Sequence, residues 1–230
     1  MSGKLIDTKI MATFKKNLFE QFAQVAKAMA SANRLEILEF LAQCDYSVED
    51  LARVTELSVA NTSQHLQQLR HAGLVASRKE GQRVYYRLNG DDVFGLVVSL
   101  RNVAVKHLEE VDHLASTYLT SKDSMEPISR EELMLRATEG SVTVLDVRPS
   151  EEYTAGHLPG AINVPLSNLE KHIATFDPKH QVVAYCRGPY CVLAFEAVRL
   201  LRKNGFQVRR LQDGYPEWKD AGLPIEKAII

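Results

Sequence analysis

Cysteine is scarce in this chain. Three in 230 residues is an odd number and too few for a disulfide framework, which points to a reducing cytoplasm. Twelve glycines and eight prolines exclude a collagen-like or low-complexity chain, and 45% hydrophobic with 25% charged residues excludes a largely disordered one. No stretch approaches the roughly 20 uninterrupted apolar residues that cross a bilayer. The opening MSGKLIDTKI lacks the apolar segment of a secretory signal, so no membrane partner is expected. Nor does one sign of charge dominate: the net charge is -1, with 15 Lys/Arg against 14 Asp/Glu in residues 1–122 and 13 against 15 beyond. The length is too great for one comfortable domain and short for three.

The charge is nevertheless uneven locally. Residues 53–87 hold six basic side chains (Arg53, Arg70, Arg78, Lys79, Arg83, Arg87) against Glu56 and Glu80, with His65 and His71 nearby. Such a run is either a solvated face or a patch that meets phosphate. A polar stretch at 117–128 containing Pro127 separates a helical half from one that alternates strand and helix signals. The expected organisation is therefore a first domain over 1–116, a linker over 117–128 and a second domain over 129–230.

In the first half, Phe14, Leu18, Phe22, Val25 and Met29 repeat at helical spacing, and 33–41 (NRLEILEFL) reads as a second helix with Leu35, Leu38 and Leu41 inward. Ser47 precedes a short helix, with Asp50 placed to close a capping box. After a turn, Ser58 caps a helix over Val59 to His71, which Gly73 ends. Thr62, Leu66 and Leu69 form its inward stripe and leave Asn61, Gln64, His65 and Gln68 outward. Two short helices joined by a tight turn, the second showing amides outward, is what reading a major groove requires. Amides pair bidentately with adenine edges, and Ser58, Ser63 and His65 can reach bases or phosphates. VASRKEGQRVYYRL follows, with a hairpin turn at Glu80-Gly81 and Arg78, Lys79, Arg83 and Arg87 along its strands, a wing suited to backbone phosphate. Double-stranded operator DNA is the expected partner. Val93, Val97, Leu100, Ala104, His107, Val111 and Leu114 then alternate by four and three along one unbroken helix, a seam that a second copy would fill.

Residues 30–90 resemble the winged helix of ArsR-family bacterial regulators, through ANRLEILEFL, LSVANTSQHLQQLRHAGLV and EGQRVYYRL. The resemblance covers most of 14–115 and implies a homodimer that represses transcription at a palindromic operator. Many members sense metals, and here this chain departs. At the place of the family's Cys-x-Cys pair stand Ser47, Val48 and Glu49, with Cys44 just before. His107 and Glu110 resemble half of the family's other site, but Phe94 and Leu96 hold the remaining positions. No metal is expected, and Cys44 reads as a small buried apolar residue.

In the second half, 142–147 (VTVLDV) reads as a buried strand, 161–164 as another, and 181–185 (QVVAY) as a third. A helix over 192–204 follows, ended by Gly205, then a strand over 208–211. This order belongs to a parallel α/β sheet, where ligands sit at the carboxyl ends of strands. Cys186 occupies that place. It opens the loop Cys186-Arg187-Gly188-Pro189-Tyr190-Cys191, whose backbone N–H groups, together with the Arg187 charge, are expected to lower the Cys186 pKa and stabilise an added sulfur. Cys186 is the candidate nucleophile, and no cofactor is expected.

This half resembles a single rhodanese domain from about Ser129 to Ile225, through LDVRPSEEYTAGHLPGAINVPL, VVAYCRGPYC and DGYPEWKDAGLPI. The resemblance implies a six-residue active loop whose first residue, Cys186, carries sulfur, with Asp146, Arg148, Glu152 and His157 as hydrogen-bonded framework. Rhodanese loops commonly end in Arg, whereas this one ends in Cys191, a departure that speaks against thiosulfate as the preferred donor. Cys191 is either a plain substitution or a thiol that resolves a persulfide on Cys186.

The fold class expected is thus a mainly α winged helix-turn-helix with a β-hairpin wing, followed by an α/β rhodanese domain with a parallel sheet. The leading functional expectation is a repressor that senses reactive sulfur from a small-molecule donor through Cys186. The alternatives are a sulfurtransferase carrying a DNA-binding module, a thiol redox sensor and a metalloid sensor.

Overall fold

The computed structural model describes residues 2–120, 127–177 and 180–228. The chain divides into two compact units, Met1–Leu41 with Asp45–Val93, and Ala42–Cys44 with Phe94–Ile230. Of the stretch read as a linker, residues 121–126 lie outside the described residues.

The first unit begins with α1 (Ser2–Met29) and α2 (Ala32–Leu41), then β1 (Tyr46–Ser47), α3 (Val48–Val54), α4 (Val59–His71), β2 (Val75–Glu80) and β3 (Arg83–Leu88). α4 packs against α2 and α3. Ile37 and Leu38 of α2, Leu51 of α3, and Leu66 and Leu69 of α4 are fully buried, so helical periodicity became a core. The stripe on α1 fares differently. Met29 is buried, but Phe14, Leu18 and Phe22 are exposed, and Ile10, Met11 and Phe19 join them.

Capping fixes both short helices of the helix-turn-helix. The Ser58 Oγ accepts from the Asn61 N–H (3.2 Å), and the Ser47 Oγ accepts from the Asp50 N–H (3.1 Å). The expected capping box takes another form, because the Asp50 carboxylate accepts from the Ser47 hydroxyl (2.7 Å), which holds that carboxyl below its usual range. In the turn between α3 and α4, Glu56 adopts φ +54°, a left-handed conformation costly for a residue with a Cβ. The three strands form an antiparallel sheet in the order β1-β3-β2. The hairpin turn lies one residue later than Glu80-Gly81, since Glu80 still pairs with Arg83 and Gly81, at φ +60°, opens the two-residue connection.

The unbroken helix expected over 93–114 is in fact two, α5 (Asp91–His107) and α6 (Glu109–Ala115), separated by extended backbone at Leu108 (φ -112°, ψ 103°). The charges account for the break. Lys106 and His107 suit a helix C-terminus, and Glu109, Glu110 and Asp112 suit the start of another. A single π-helical turn, Ser116–Thr120, follows.

The rest is an α/β layer structure: α7 (Arg130–Thr138), β4 (Val142–Asp146), α8 (Ser150–Ala155), β5 (Ile162–Asn163), α9 (Leu166–His172), β6 (Gln181–Tyr185), α10 (Val192–Lys203), β7 (Val208–Arg210) and α11 (Tyr215–Asp220). The four strands are parallel, in the order β5-β4-β6-β7. Ile128 adds a further parallel bridge beside Leu211 and is itself fully buried. Alternation along β6 feeds two cores. Val182 and Ala184 join Leu145, Ala197, Val198 and Leu201 on one face, while Val183 and Tyr185 join Leu133, Leu158 and Trp218 on the other. Cys186 continues the first series, so the pleat directs it into the core shared with α10.

Candidate functional site

Helix α4 presents part of the face expected of it. Asn61 and Gln64 are exposed, as is the capping Ser58, while Ser63 and His65 are half-buried. Both of the latter flank the inward stripe of Thr62, Leu66 and Leu69, one turn or less away, and so turn partly inside. The His65 Nδ1 is buried without a hydrogen-bond partner among the described residues. Gln68, though exposed, accepts from the Arg34 guanidinium (2.6 Å), which also donates to the Lys27 carbonyl (3.0 Å) at the end of α1. Gln68 thus belongs to a bracket holding α4 to the α1 terminus. Beside it lies an open polar hollow of about 970 Å³, lined by Gln24 and Lys27 of α1 and by Gln64, Gln67, Arg70 and His71 of α4.

The wing is less uniformly cationic than its sequence. Strand register places Arg78, Arg83 and Arg87 on one face and Lys79 on the other. Arg78 pairs with Asp45 (3.1 Å) and with Glu80, and it lies over the Tyr85 ring at 4.9 Å. Arg83 is held above its usual range by a hydrogen bond to Tyr85 and by the charges of Tyr85, Asp50 and Glu49. All four basic side chains are exposed, with Arg78 already neutralised at the surface.

The second unit places Cys186 at the carboxyl end of β6, where the loop to α10 begins. Its framework is buried and charged. Arg148 and Asp146, both wholly inside, pair at 2.6 Å, and Arg148 also donates to the Gly156 carbonyl (2.7 Å). The Tyr185 hydroxyl donates to Asp146 (2.6 Å) and accepts from the Leu158 N–H (3.1 Å). Burial presses Arg148 towards neutrality, but the adjacent Asp146 carboxylate outweighs it and keeps the guanidinium firmly protonated. Glu152, also buried, binds the Arg187 guanidinium through contacts of 2.6, 2.9 and 3.1 Å. The His157 Nδ1–H donates to the Tyr153 carbonyl (2.8 Å), and the imidazole stacks on the Tyr153 ring.

The Cys186 Sγ donates towards the Cys191 carbonyl (3.4 Å) and the Gly188 carbonyl (3.9 Å), and the residue is 1% exposed. Burial pushes the Cys186 thiol well up, and the hydrogen bond to Cys191 with the charge there adds to it; backbone hydrogen bonds from Gly188 and Ala194 oppose more weakly. Cys191 moves the other way, down to about 7. The hydrogen bond from Cys186 leads, burial opposes, and backbone hydrogen bonds from Arg187 and Leu193 assist. The acidifying effect expected at Cys186 therefore falls on Cys191. The cause is that Cys186 lies in the core, whereas Cys191 is the half-buried N-cap residue of α10. The Arg187 charge, expected to help Cys186, is engaged by Glu152 instead. Cys44, read as buried, is half-buried.

Two positions that support the loop were not singled out from sequence. A Cβ on Gly214 would lie 2.2 Å from the Gly188 nitrogen and 2.3 Å from the Arg187 carbonyl carbon, so the loop backbone rests directly on this glycine. The Tyr215 N–H donates to the Cys186 carbonyl (3.0 Å), and the Arg148 guanidinium sits 4.4 Å from the Tyr215 ring. The run DGYPEW held the signal, but nothing local in it reveals contact with a loop some 25 residues earlier.

A capped helix-turn-helix with a wing, and a buried strand-end thiol in a parallel α/β unit, define a regulator of two functional parts. Residues 31–77 match the family model described as bacterial regulatory protein, arsR family, and residues 129–221 match the rhodanese-like domain. The HTH-type transcriptional regulator Rv0324 of Mycobacterium tuberculosis is 46% identical over 213 residues, covering 93% of both chains. The HTH-type transcriptional regulator YgaV of Escherichia coli is 39% identical over 85 residues, 36% of this chain and 86% of its own. Among solved structures, the homodimeric winged helix-turn-helix DNA-binding domain of a possible ArsR-family regulator from Mycobacterium bovis is 44% identical, with a TM-score of 0.40, covering 42% of this chain and 89% of that one. The chain belongs to the arsR family of helix-turn-helix transcriptional regulators, in the form that carries a rhodanese-like domain. Among the described residues no helix is long and apolar enough to cross a membrane.

Proposed function

We propose that this protein is a transcriptional repressor that binds double-stranded operator DNA in the cytoplasm as a homodimer and senses reactive sulfur through a persulfide on Cys186. In this reading residues 1–116 bind DNA and dimerise, 117–128 link, and 129–230 handle sulfur. One observation carries it: two thiols, Cys186 and Cys191, at the two ends of a six-residue loop at a strand end, with the Cys186 Sγ donating to the Cys191 carbonyl (3.4 Å), in a chain that also bears a capped helix with Asn61 and Gln64 exposed.

The likeness to HTH-type transcriptional regulators supports the DNA-binding role. The exposed Phe14, Phe19 and Phe22 of α1, with Leu100 and Val103 of α5, support a second copy as their cover. Backbone hydrogen bonds from Gly188 and Ala194 suit a terminal sulfur anion on Cys186. Arg187 is tied to Glu152, which favours a hydropersulfide or polysulfide over an anionic thiosulfate. A coupling of about 1–3 kcal/mol between the sulfur state and DNA binding changes occupancy roughly five- to hundredfold.

The test is an operator titration by fluorescence anisotropy at fixed salt, with reduced protein, polysulfide-treated protein and treated C186S. A shift that requires Cys186 supports the reading. Three coincident curves from protein that still transfers sulfur identify instead a sulfurtransferase tethered to a DNA-binding module.

A further inference from the structure

We propose that Gln43, in the chain segment between α2 and β1, is a positioning residue for the Cys186 loop, and that it hands the sulfur state of Cys186 to the ends of those two elements. This rests on Cys186 taking sulfur, as in the function proposed above.

Ala42–Cys44 join α2 to β1 in the chain, yet they belong to the second unit, while Leu41 and Asp45 on either side belong to the first. Gln43 is 3% exposed, and an amide so deeply buried needs both its ends answered. Its Oε1 accepts from the Arg148 Nη1 (3.1 Å), and its Nε2 donates to the Arg187 carbonyl (3.4 Å). Chemistry forces that orientation. A guanidinium only donates and a carbonyl only accepts, so the amide fits one way round.

The second contact falls on the peptide that faces the sulfur. A trans peptide is planar and its N–H points away from its C=O, so whatever holds the Arg187 carbonyl also aims the Gly188 N–H. That N–H hydrogen-bonds the Cys186 sulfur. Two other restraints act at the same place: the peptide rests on Gly214, where there is no space for a Cβ, and the Arg187 side chain is closed on the buried Glu152. The one neutral hydrogen bond from Gln43 is the weakest of the three and gives first. A sulfur added to Cys186 takes up space beside the Gly188 N–H, and the shift that makes room is absorbed at Gln43. The backbone carries that displacement to the end of α2 and the start of β1.

The transfer itself is balanced. The Cys186 thiolate attacks the outer sulfur of a small hydropersulfide, R–S–SH. The donor S–S bond breaks, its electron pair leaves with RS⁻, and Cys186 becomes Cys–S–SH. RS⁻ takes the proton that the Cys186 thiol gave up, so there is no net oxidation. The Gly188 N–H stabilises the charge on the attacking sulfur.

Full-length protein is treated with glutathione hydropersulfide, quenched in acid at set times and mapped by peptide mass spectrometry for one sulfur added to Cys186. Q43M keeps the side-chain length and loses both hydrogen bonds. It is expected to capture sulfur on Cys186 about tenfold more slowly than wild type, the effect of one hydrogen bond to a charged group. A merely structural role gives the opposite sign, because a loosened loop uncovers a thiol that is 1% exposed and speeds its capture. Capture by Q43M at or above the wild-type rate therefore overturns the proposal. A second measurement needs no variant at Gln43. Amide hydrogen exchange over residues 42–47 of the wild type is expected to change about fivefold or more once Cys186 carries sulfur, and to stay within about twofold in identically treated C186S. Unchanged exchange in wild type, or an equal change in C186S, also overturns it. Operator affinity enters neither readout. A wild type that gains no sulfur at Cys186 removes the proposed function and this inference together, whereas sulfur gain that Q43M leaves undiminished removes only the role of Gln43.

Discussion

Arg187 is closed on Glu152 by contacts of 2.6, 2.9 and 3.1 Å, with the carboxylate fully buried. Arg187 is the one charged side chain in the six-residue loop, so this pair moors the loop to α8 rather than presenting a cation to a ligand.

Removing either partner breaks a largely buried ion pair, at a cost of about 3–5 kcal/mol. R187Q, which takes the guanidinium from the fully buried Glu152 carboxylate, is expected to lower the urea midpoint accordingly, E152Q to do so less because the Arg187 side chain it leaves behind is 17% exposed, and the double variant to lose less than the sum. Strictly additive losses would show that the pair does not act as a unit.

Gly214 admits no side chain. G214A drives a methyl group into the backbone at Arg187 and Gly188, and overpacking of this kind costs about 1–3 kcal/mol. Thermal melting is expected to show that loss together with faster alkylation of Cys186, as the displaced loop uncovers it. An unchanged melt would mean that the loop has slack absent from the structure.

The reactive thiolate forms as pH rises through about 7, where Cys191 loses its proton while Cys186 keeps its own. The facing groups are the Cys186 thiol and the Arg187 guanidinium, the latter neutralised by Glu152. The alkylation rate at Cys191 is expected to climb about tenfold per pH unit below that point and to level off above it. In C191S the step at about 7 disappears. A wild-type midpoint near the ordinary thiol range would contradict the arrangement.

Asn61 and Gln64 are exposed on α4 and are the residues proposed to read bases, while Lys79 stands on the opposite wing face from the paired Arg78. N61A and Q64A are expected to weaken operator binding by about 1–3 kcal/mol each and to leave random-sequence DNA little affected. K79A is expected to weaken both equally and reduce the salt slope by about one. R78A, which breaks contacts within the wing, is expected to change stability more than the salt slope. Anisotropy titrations over a salt series separate these outcomes.

Legibility in the sequence followed the range of the interactions. The strand Gln181–Tyr185 and the Ser58 and Ser47 caps were readable because alternation and capping act within a few residues. The break at Leu108 was signalled by charges rather than by a Gly or Pro, and heptad spacing hid it. The Arg187–Glu152 pair spans 35 residues and the Gly214 contact 26 or so, distances over which local pattern says nothing. The proton distribution between Cys186 and Cys191 depends on burial, which a list of loop residues does not contain.

Ile128 lies against the outer strand of the parallel sheet, its N–H donating to the Arg210 carbonyl (2.9 Å) and its carbonyl accepting from the Gln212 N–H (2.9 Å). The residue that leads into the second domain is thus also a shield over an otherwise open sheet edge. Excision of the rhodanese-like half at residue 129 would strip that shield, leaving two main-chain groups and the apolar Leu211 open to pairing with another molecule. A soluble isolated domain has to begin upstream of Ile128.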